Sequence, residues 1–198
     1  MPYDSKNHRR HSIRLPDHDY RSPGAYFVTI CTHQGELLFG DVLDGDVVLN
    51  EYGQIAHEEW LASEDIRREI ELDAFVIMPN HVHGIVWIRD TGDDPAVGTH
   101  DAGANGRAPL HRPPRSLGSF IAGYKSAATR RINCLRDTPG APVWQRNYYE
   151  RIIRNDTAMG RIREYIRHNP ARWAEDRLHP VAPCNPNPTQ SKNKEKNR

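Results

Sequence analysis

The fold class that the 198-residue sequence predicts is an α+β sandwich, an antiparallel sheet with helices packed on it. Three observations predict it. Strand-like and helix-like apolar patterns follow one another in the order βαββαβα. Two apolar strands flank the turn Pro79-Asn80-His81. Once the polar and Gly/Pro-rich segments are set aside, residues 23–89 and 115–180 remain, enough for one domain.

Each element has its own signal. Residues 26–31, YFVTIC, are aromatic and β-branched and follow a Pro23-Gly24 turn, so they read as a strand. Residues 37–39 and 47–49, separated by Gly40 and Gly45, read as a short hairpin. Asn50 is placed to cap a helix running to about Ser63, with Ile55 and Trp60 among its apolar positions. Residues 72–78 and 82–88 are the two central strands. A second helix starts near Ser116 and carries Leu117, Phe120, Ile121, Tyr124, Ala128, Ile132 and Leu135 at helical spacing. Residues 143–144 and 148–153 read as extended. Asp156 or Thr157 caps a third helix with Met159, Ile162 and Ile166, which stops at Asn169-Pro170.

Three segments fall outside this pattern. Residues 1–22 form a basic arm expected to be flexible, and residues 181–198 a Lys/Asn-rich tail expected to be disordered. Residues 90–114 hold eight Gly or Pro in 25 positions, which reads as a flexible insertion or flap. The domain is thus expected to span residues 23–180. No apolar run approaches the ~18–20 residues of a membrane span, and the N-terminus lacks the apolar segment of a secretory signal. Cys31, Cys134 and Cys184 have neither the number nor the spacing for a disulfide framework or a cysteine zinc site. A reducing cytoplasmic setting is the expectation.

The net charge of +1, from 27 basic and 26 acidic side chains, is a cancellation. Residues 36–76 hold 12 acidic and 2 basic side chains, a net of −10, whereas residues 115–172 hold 12 basic and 4 acidic, a net of +8. A basic half interleaved with Tyr and Trp is the footprint of a nucleic-acid face. It predicts that DNA approaches on the side of the second and third helices, with the acidic first helix turned away.

The sharpest local feature is His81-Val82-His83. Alternation along a strand puts both imidazoles on one face, where they can share a metal and leave other positions open to substrate oxygens. An accidental His-x-His is not rare in a chain with 11 histidines, but a strand start after a Pro-Asn turn gives this one weight. On the third helix Tyr165 and Asn169 are spaced i, i+4 and share a face. Asn169 offers an amide oxygen, and Tyr165 would sit beside whatever the metal polarises. Tyr148 and Tyr149 compete for the nucleophile's role. As neighbours on a strand, one would pack inward while the other could contact DNA.

In order along the chain, the blocks YFVTICTHQ, MPNHVHGIVWI, SFIAGYKSAATRRIN, WQRNYYERIIR and REYIRHNPARW resemble the REP-associated tyrosine transposases, single-tyrosine members of the HUH nuclease superfamily. The resemblance covers roughly residues 12–175. It implies a ferredoxin-like domain, Mg²⁺ or Mn²⁺ dependence, and cleavage and rejoining of single-stranded DNA near hairpins of the repetitive extragenic palindrome type. By matching position it makes His81 and His83 the HUH pair, Tyr165 the nucleophile five residues before Pro170, and Asn169 the residue completing the metal site. Tyr148 and Tyr149 then become DNA-contact or packing residues. The insertion, Gly160 within the nucleophile helix and the Lys/Asn tail depart from the family pattern.

The implied reaction is attack by Tyr165 on a DNA phosphate, giving a 5′-phosphotyrosine and a free 3′-OH, with the bond energy kept for rejoining. Lys125, Arg130 and Arg131 on the second helix, and Arg146 and Arg151 beside the tyrosines, are the expected backbone contacts. The family includes monomers and swapped dimers, so either a monomer or a homodimer is expected. The alternatives are a non-catalytic hairpin-binding protein on the same fold and a hydrolase in which water replaces Tyr165.

Overall fold

The computed structural model describes residues 22–90 and 115–180. The N-terminal arm, nearly all of the 90–114 insertion and the C-terminal tail lie outside the described residues. The elements are β1 (Gly24–Cys31), β2 (Gly40–Leu43), β3 (Asp46–Leu49), α1 (Glu51–Ile66), β4 (Ile70–Met78), β5 (His81–Ile88), α2 (Leu117–Leu135), β6 (Tyr149–Ile153) and α3 (Asp156–His168), followed by a 3₁₀ turn over Pro170–Glu175. The main sheet has the order β4-β5-β1-β6, and every neighbouring pair is antiparallel. β1 and β4 run parallel with β5 between them, and β5 and β6 run parallel with β1 between them. This is the doubled split βαβ arrangement of a ferredoxin-like sheet.

Both crossovers return over the same side of the sheet, as right-handed connections must, so α1 and α2 share one face. Tyr26, Val28 and Ile30 of β1 and Val82, Val86 and Ile88 of β5 pack there against Trp60 of α1 and Phe120, Ile121 and Tyr124 of α2. Trp60 is fully buried, edge-on to Phe120 and Tyr124 at 5.4 and 5.1 Å between ring centres. The odd-numbered residues face the other way. Ala25, Phe27, Ile85 and Ile153 pack against Met159, Ile162 and Ile166 of α3. Burying each of those three helix side chains contributes about 1.5–3 kcal/mol, and together they hold α3 on the face opposite α2.

This placement corrects the expected DNA side. α2 and α3 lie on opposite faces of the sheet, and α2 packs against the acidic α1. Arg131 forms ion pairs with Glu58 and Glu59 of α1 at 2.6 and 2.9 Å. The basic half of the sequence is therefore not a single surface.

Smaller differences have local causes. The cap of α3 is Asn155, whose side chain accepts from the Ala158 amide at 2.8 Å, one residue before the expected position. The hairpin pairs Gly40–Leu43 with Asp46–Leu49, because residues 37–39 tie instead to the end of β4, with the Phe39 amide donating to the Pro79 carbonyl at 2.9 Å. Residues 143–144 form one isolated bridge, Trp144 with Thr32.

α3 is also locked to the sheet by charge. Arg163 donates to both carboxylate oxygens of Asp73 on β4, at 3.0 and 2.6 Å, and the Trp87 indole donates to the same carboxylate at 3.2 Å. The Arg163 fork holds the Asp73 carboxyl down at about 2, against an ordinary value of 3.8. Its stabilising effect is complete above the unfolded value and is lost as pH falls from about 4 through about 2. The melting-temperature gap between wild type and Asp73→Asn is therefore expected to be constant above pH 5 and to have shrunk to a small fraction of that by pH 2. A thermal-melt series across that range measures it, and a gap undiminished at pH 2 contradicts the pairing.

Candidate active site

β5 begins at His81, directly after the Pro79-Asn80 turn, so His81 and His83 fall in the odd register and face α3. Across the ladder they oppose Cys31 and Thr29 of β1. Both rings are buried and 4.4 Å apart between centres. Burial pushes the His81 imidazole down to about 4, with Asp176 pulling the other way, and pushes His83 well below its ordinary value, reinforced by His81. Both rings are neutral at pH 7, the form that donates a lone pair to a metal.

The neighbours orient these lone pairs. The Asn80 amide nitrogen donates to the carbonyls of Leu178 and Gly35 at 2.7 and 3.3 Å, so its oxygen faces His81 Nδ1 at 2.8 Å. His81 Nδ1 therefore carries the proton, and Nε2 has a bare lone pair. That Nε2 is buried and has no hydrogen-bond partner among the described residues. His83 has a hydroxyl on each nitrogen: Thr29 Oγ1 at 2.8 Å from Nδ1 and Tyr165 Oη at 3.0 Å from Nε2.

Tyr165 comes from the flank of α3, half exposed, with its ring edge-on to Phe27 at 6.0 Å and 5.1 Å from His83 between centres. Partial burial, followed by the charge of Asp176, raises its phenol above the ordinary 10.0, while Asn169, Arg177 and Arg172 pull it down. Asn169 ends the helix one turn later and is buried. Its amide donates to Asp176 at 2.9 Å, and its Oδ1 has no partner among the described residues. Asp176 follows the 3₁₀ turn that Pro170 starts, and its other oxygen accepts from the Leu178 amide at 2.7 Å. Ligand atoms of His81, His83 and Asp176 all lie within 4.8 Å of one another.

The structure thus brings His81, His83, Tyr165 and Asn169 together and adds Asp176 to them. Asn80 and Thr29 join as the groups that orient the two rings, and Trp173 lies 5.9 Å from His81 between ring centres. The remaining sequence candidates divide. Tyr149 is exposed on the α3 face, 6.4 Å from Phe27, and Arg151 is exposed beside Phe27's position in the β1–β6 register. Tyr148 is half-buried on the opposite side, with Lys125 Nζ 5.8 Å above its ring. Lys125 donates to the Gln145 and Asn147 carbonyls at 2.8 and 3.0 Å, and Arg130 and Arg146 are exposed.

Two buried acceptors without partners, beside a neutral imidazole and a carboxylate, fit a divalent cation. The set has nitrogen and oxygen donors and no thiolate, so it is not a cysteine-type structural zinc centre. Among the described residues no helix is long and apolar enough to cross a membrane.

No protein-family model matches the chain. An uncharacterized protein of Haemophilus influenzae is 36% identical over 180 residues, which cover 89% of this chain and 97% of that protein. The solved structure of a REP-associated tyrosine transposase bound to a REP hairpin superposes with a TM-score of 0.53 at 18% identity, over 81% of this chain and 74% of that one. The chain belongs to one family with the Haemophilus influenzae protein, and it carries the fold of the REP-associated tyrosine transposases that its sequence blocks resemble.

Proposed function

We propose that the protein is a metal-dependent single-strand DNA nuclease and strand transferase that cleaves and rejoins hairpin-bearing repetitive DNA through Tyr165. The observation that carries this reading is the Tyr165 hydroxyl 3.0 Å from His83 Nε2, beside the unpartnered Nε2 of His81. Its hairpin substrate is suggested by the REP hairpin bound to the structural neighbour.

His81, His83 and Asp176, with Asn169 beside them, would hold Mg²⁺ or Mn²⁺, which when bound neutralises charge on the phosphoryl oxygens. Tyr165 Oη attacks phosphorus, the bond from phosphorus to the 3′-oxygen breaks, and the phenolic proton ends on balance on the released 3′-OH. The product is a 5′-phosphotyrosine, and a 3′-OH reverses the same step to rejoin the strand. Phe27 and Thr29 keep Tyr165 and His83 in register through ring packing and a hydrogen bond. The working form is proposed to be a monomer or a homodimer, acting on cytoplasmic DNA.

The test is incubation of the protein with single-stranded oligonucleotides carrying the repetitive hairpins that flank its own gene. A covalent protein–DNA band on a denaturing gel is expected with Mn²⁺ or Mg²⁺ and none with chelator. Hairpin binding without any nicking under either metal would sink the catalytic reading. The orienting role of Asn80 gives a separate expectation. Asn80→Ala removes the acceptor on His81 Nδ1 and frees the ring to rotate. Mn²⁺ affinity measured by calorimetry is expected to fall roughly 10- to 100-fold, the usual effect of losing such a partner. Unchanged affinity would show that His81 is not held in this way or is not a ligand.

A further inference from the structure

Between Asp176 and His179 the chain makes a tight turn, closed by the His179 amide on the Asp176 carbonyl at 3.0 Å, and Arg177 stands at its first corner. Both neighbours of Arg177 are tied to the site. The Asp176 carboxylate accepts from the Asn169 side chain and the Leu178 amide, at 2.9 and 2.7 Å, and lies in the cluster with His81 and His83. The Leu178 carbonyl accepts from Asn80 at 2.7 Å, and Asn80 also holds His81. The backbone of Arg177 is thus fixed on either side by residues bound to the cluster. Its side chain is exposed and has no carboxylate partner among the described residues.

Arg172, the other guanidinium whose charge reaches the Tyr165 phenol, is already engaged. Its Nε and Nη2 both donate to Glu175, at 3.2 and 3.1 Å. The cluster itself is poor in positive charge, with two neutral imidazoles, a neutral phenol, an amide and the Asp176 carboxylate. A divalent cation held there leaves one positive charge in excess over Asp176. A DNA phosphate carries one negative charge before attack, which that excess balances. It carries two once the phenolic proton has left and until that proton reaches the leaving 3′-oxygen, so the site then falls one positive charge short. A fixed cation that meets the phosphoryl oxygens at this stage favours the transition state over the bound substrate.

We propose that Arg177 is a further catalytic residue, whose guanidinium contacts a non-bridging oxygen of the phosphate attacked by Tyr165 and neutralises the charge that develops there. Arg177 forms no covalent bond and gives up no proton, since a guanidinium stays charged throughout. The proposal rests on the strand-transferase reading and adds to it the cation that the cluster lacks in the transition state.

The experiment uses the full-length protein and synthetic copies of the hairpins flanking its gene, with the linkage that wild type cleaves mapped on the same gels. Single-turnover adduct formation, hairpin affinity by fluorescence anisotropy and Mn²⁺ affinity by calorimetry are compared in wild type, Arg177→Gln, Arg177→Lys and Arg172→Gln. Arg177→Gln is expected to slow adduct formation roughly 100-fold, the usual cost of losing one donor to a developing charge, with both affinities changed less than about threefold. Arg177→Lys should recover part of the rate, and Arg172→Gln should stay within about threefold of wild type. A neutral methylphosphonate at the mapped linkage separates catalysis from a structural role. Its phosphorus centre carries one negative charge fewer, so wild type and Arg177→Gln should cleave it at rates within about threefold of one another. Arg177→Gln that cleaves the natural linkage at the wild-type rate, or is equally impaired on both linkages, overturns the role of Arg177 and leaves the strand-transferase reading standing. Wild type that binds the hairpin and forms no adduct overturns both.

Discussion

Tyr165→Phe is expected to abolish both the covalent adduct and strand cleavage while leaving hairpin binding in place. In the proposed reaction the phenol supplies the only atom that becomes bonded to phosphorus, so the loss should be roughly 10³-fold or more, the scale seen when a covalent nucleophile is removed. The fold should barely respond. Tyr165 is 45% exposed, and its hydroxyl bonds to His83 Nε2 at 3.0 Å, so deleting it costs about 1 kcal/mol at most. The variant keeps the ring that packs on Phe27, which makes it a cleaner test than Ala. A second consequence comes from the same contact. The Tyr165 hydroxyl sits on His83 Nε2, so removing it frees that nitrogen, and Mn²⁺ affinity by calorimetry should be equal or higher. Three assays on one protein then separate the readings. Cleavage that survives without an adduct means that water is the nucleophile and the protein is a hydrolase. Wild type that binds but never cleaves is a hairpin-binding protein. Loss of cleavage together with loss of binding would place Tyr165 in DNA recognition instead.

Much of this site could be read from local spacing, because local spacing is what positions those residues. His81 and His83 share a face since strand side chains alternate, and Tyr165 and Asn169 share one since helix side chains recur every three to four positions. Asp176 could not be found that way. It reaches the histidines only because Pro170 ends α3 and a 3₁₀ turn carries the chain back over the sheet end. Asn80 stood in plain view within the Pro79-Asn80 turn, and its role depends on the Leu178 carbonyl, 98 residues away, which turns its amide. The charge blocks misled for a related reason. A run of basic residues in sequence says nothing about the faces on which successive helices pack, and here the handedness of two crossovers sends α2 to the side of α1 while α3 closes the other side. Arg131 then lies against Glu58 and Glu59, and the acidic and basic halves meet rather than face apart. The cap at Asn155 was missed by one residue because Asp156 is an equally good capping type, and only the Ala158 amide decides between them.

Gly84 lies between His83 and Ile85 on β5, and it should be the least replaceable glycine in the sheet. As an even-numbered residue it faces α1, and a Cβ there would stand 2.4 Å from Trp60 Cζ2 and 3.0 Å from Cη2. Trp60 has no room to retreat, being fully buried and wedged edge-on against Phe120 and Tyr124. The strand has none either, since Gly84 is paired with Val28 on one side and Phe75 on the other. Gly84→Ala is therefore expected to destabilise the fold by about 1–3 kcal/mol, the cost of forcing an extra methyl into a packed core. At about 2–4 °C per kcal/mol for a chain of this size, the melting temperature should drop by several degrees. The effect should extend to the site, because a strand displaced at residue 84 carries His83 with it, so Mn²⁺ affinity should fall in the protein that remains folded. Gly160→Ala makes the opposite prediction from the same chemical change. Gly160 is exposed inside α3, and a Cβ there meets nothing within 4 Å. Only the helix preference is then felt, and the protein should gain about 0.8–1.0 kcal/mol. Thermal melts of the two variants must move in opposite directions. If the clash with Trp60 is the cause, Trp60→Leu should cost less in the Gly84→Ala background than alone, a coupling that a double-mutant cycle measures directly. Equal costs in both backgrounds would mean that Gly84 is required for its backbone rather than for the space it leaves to Trp60.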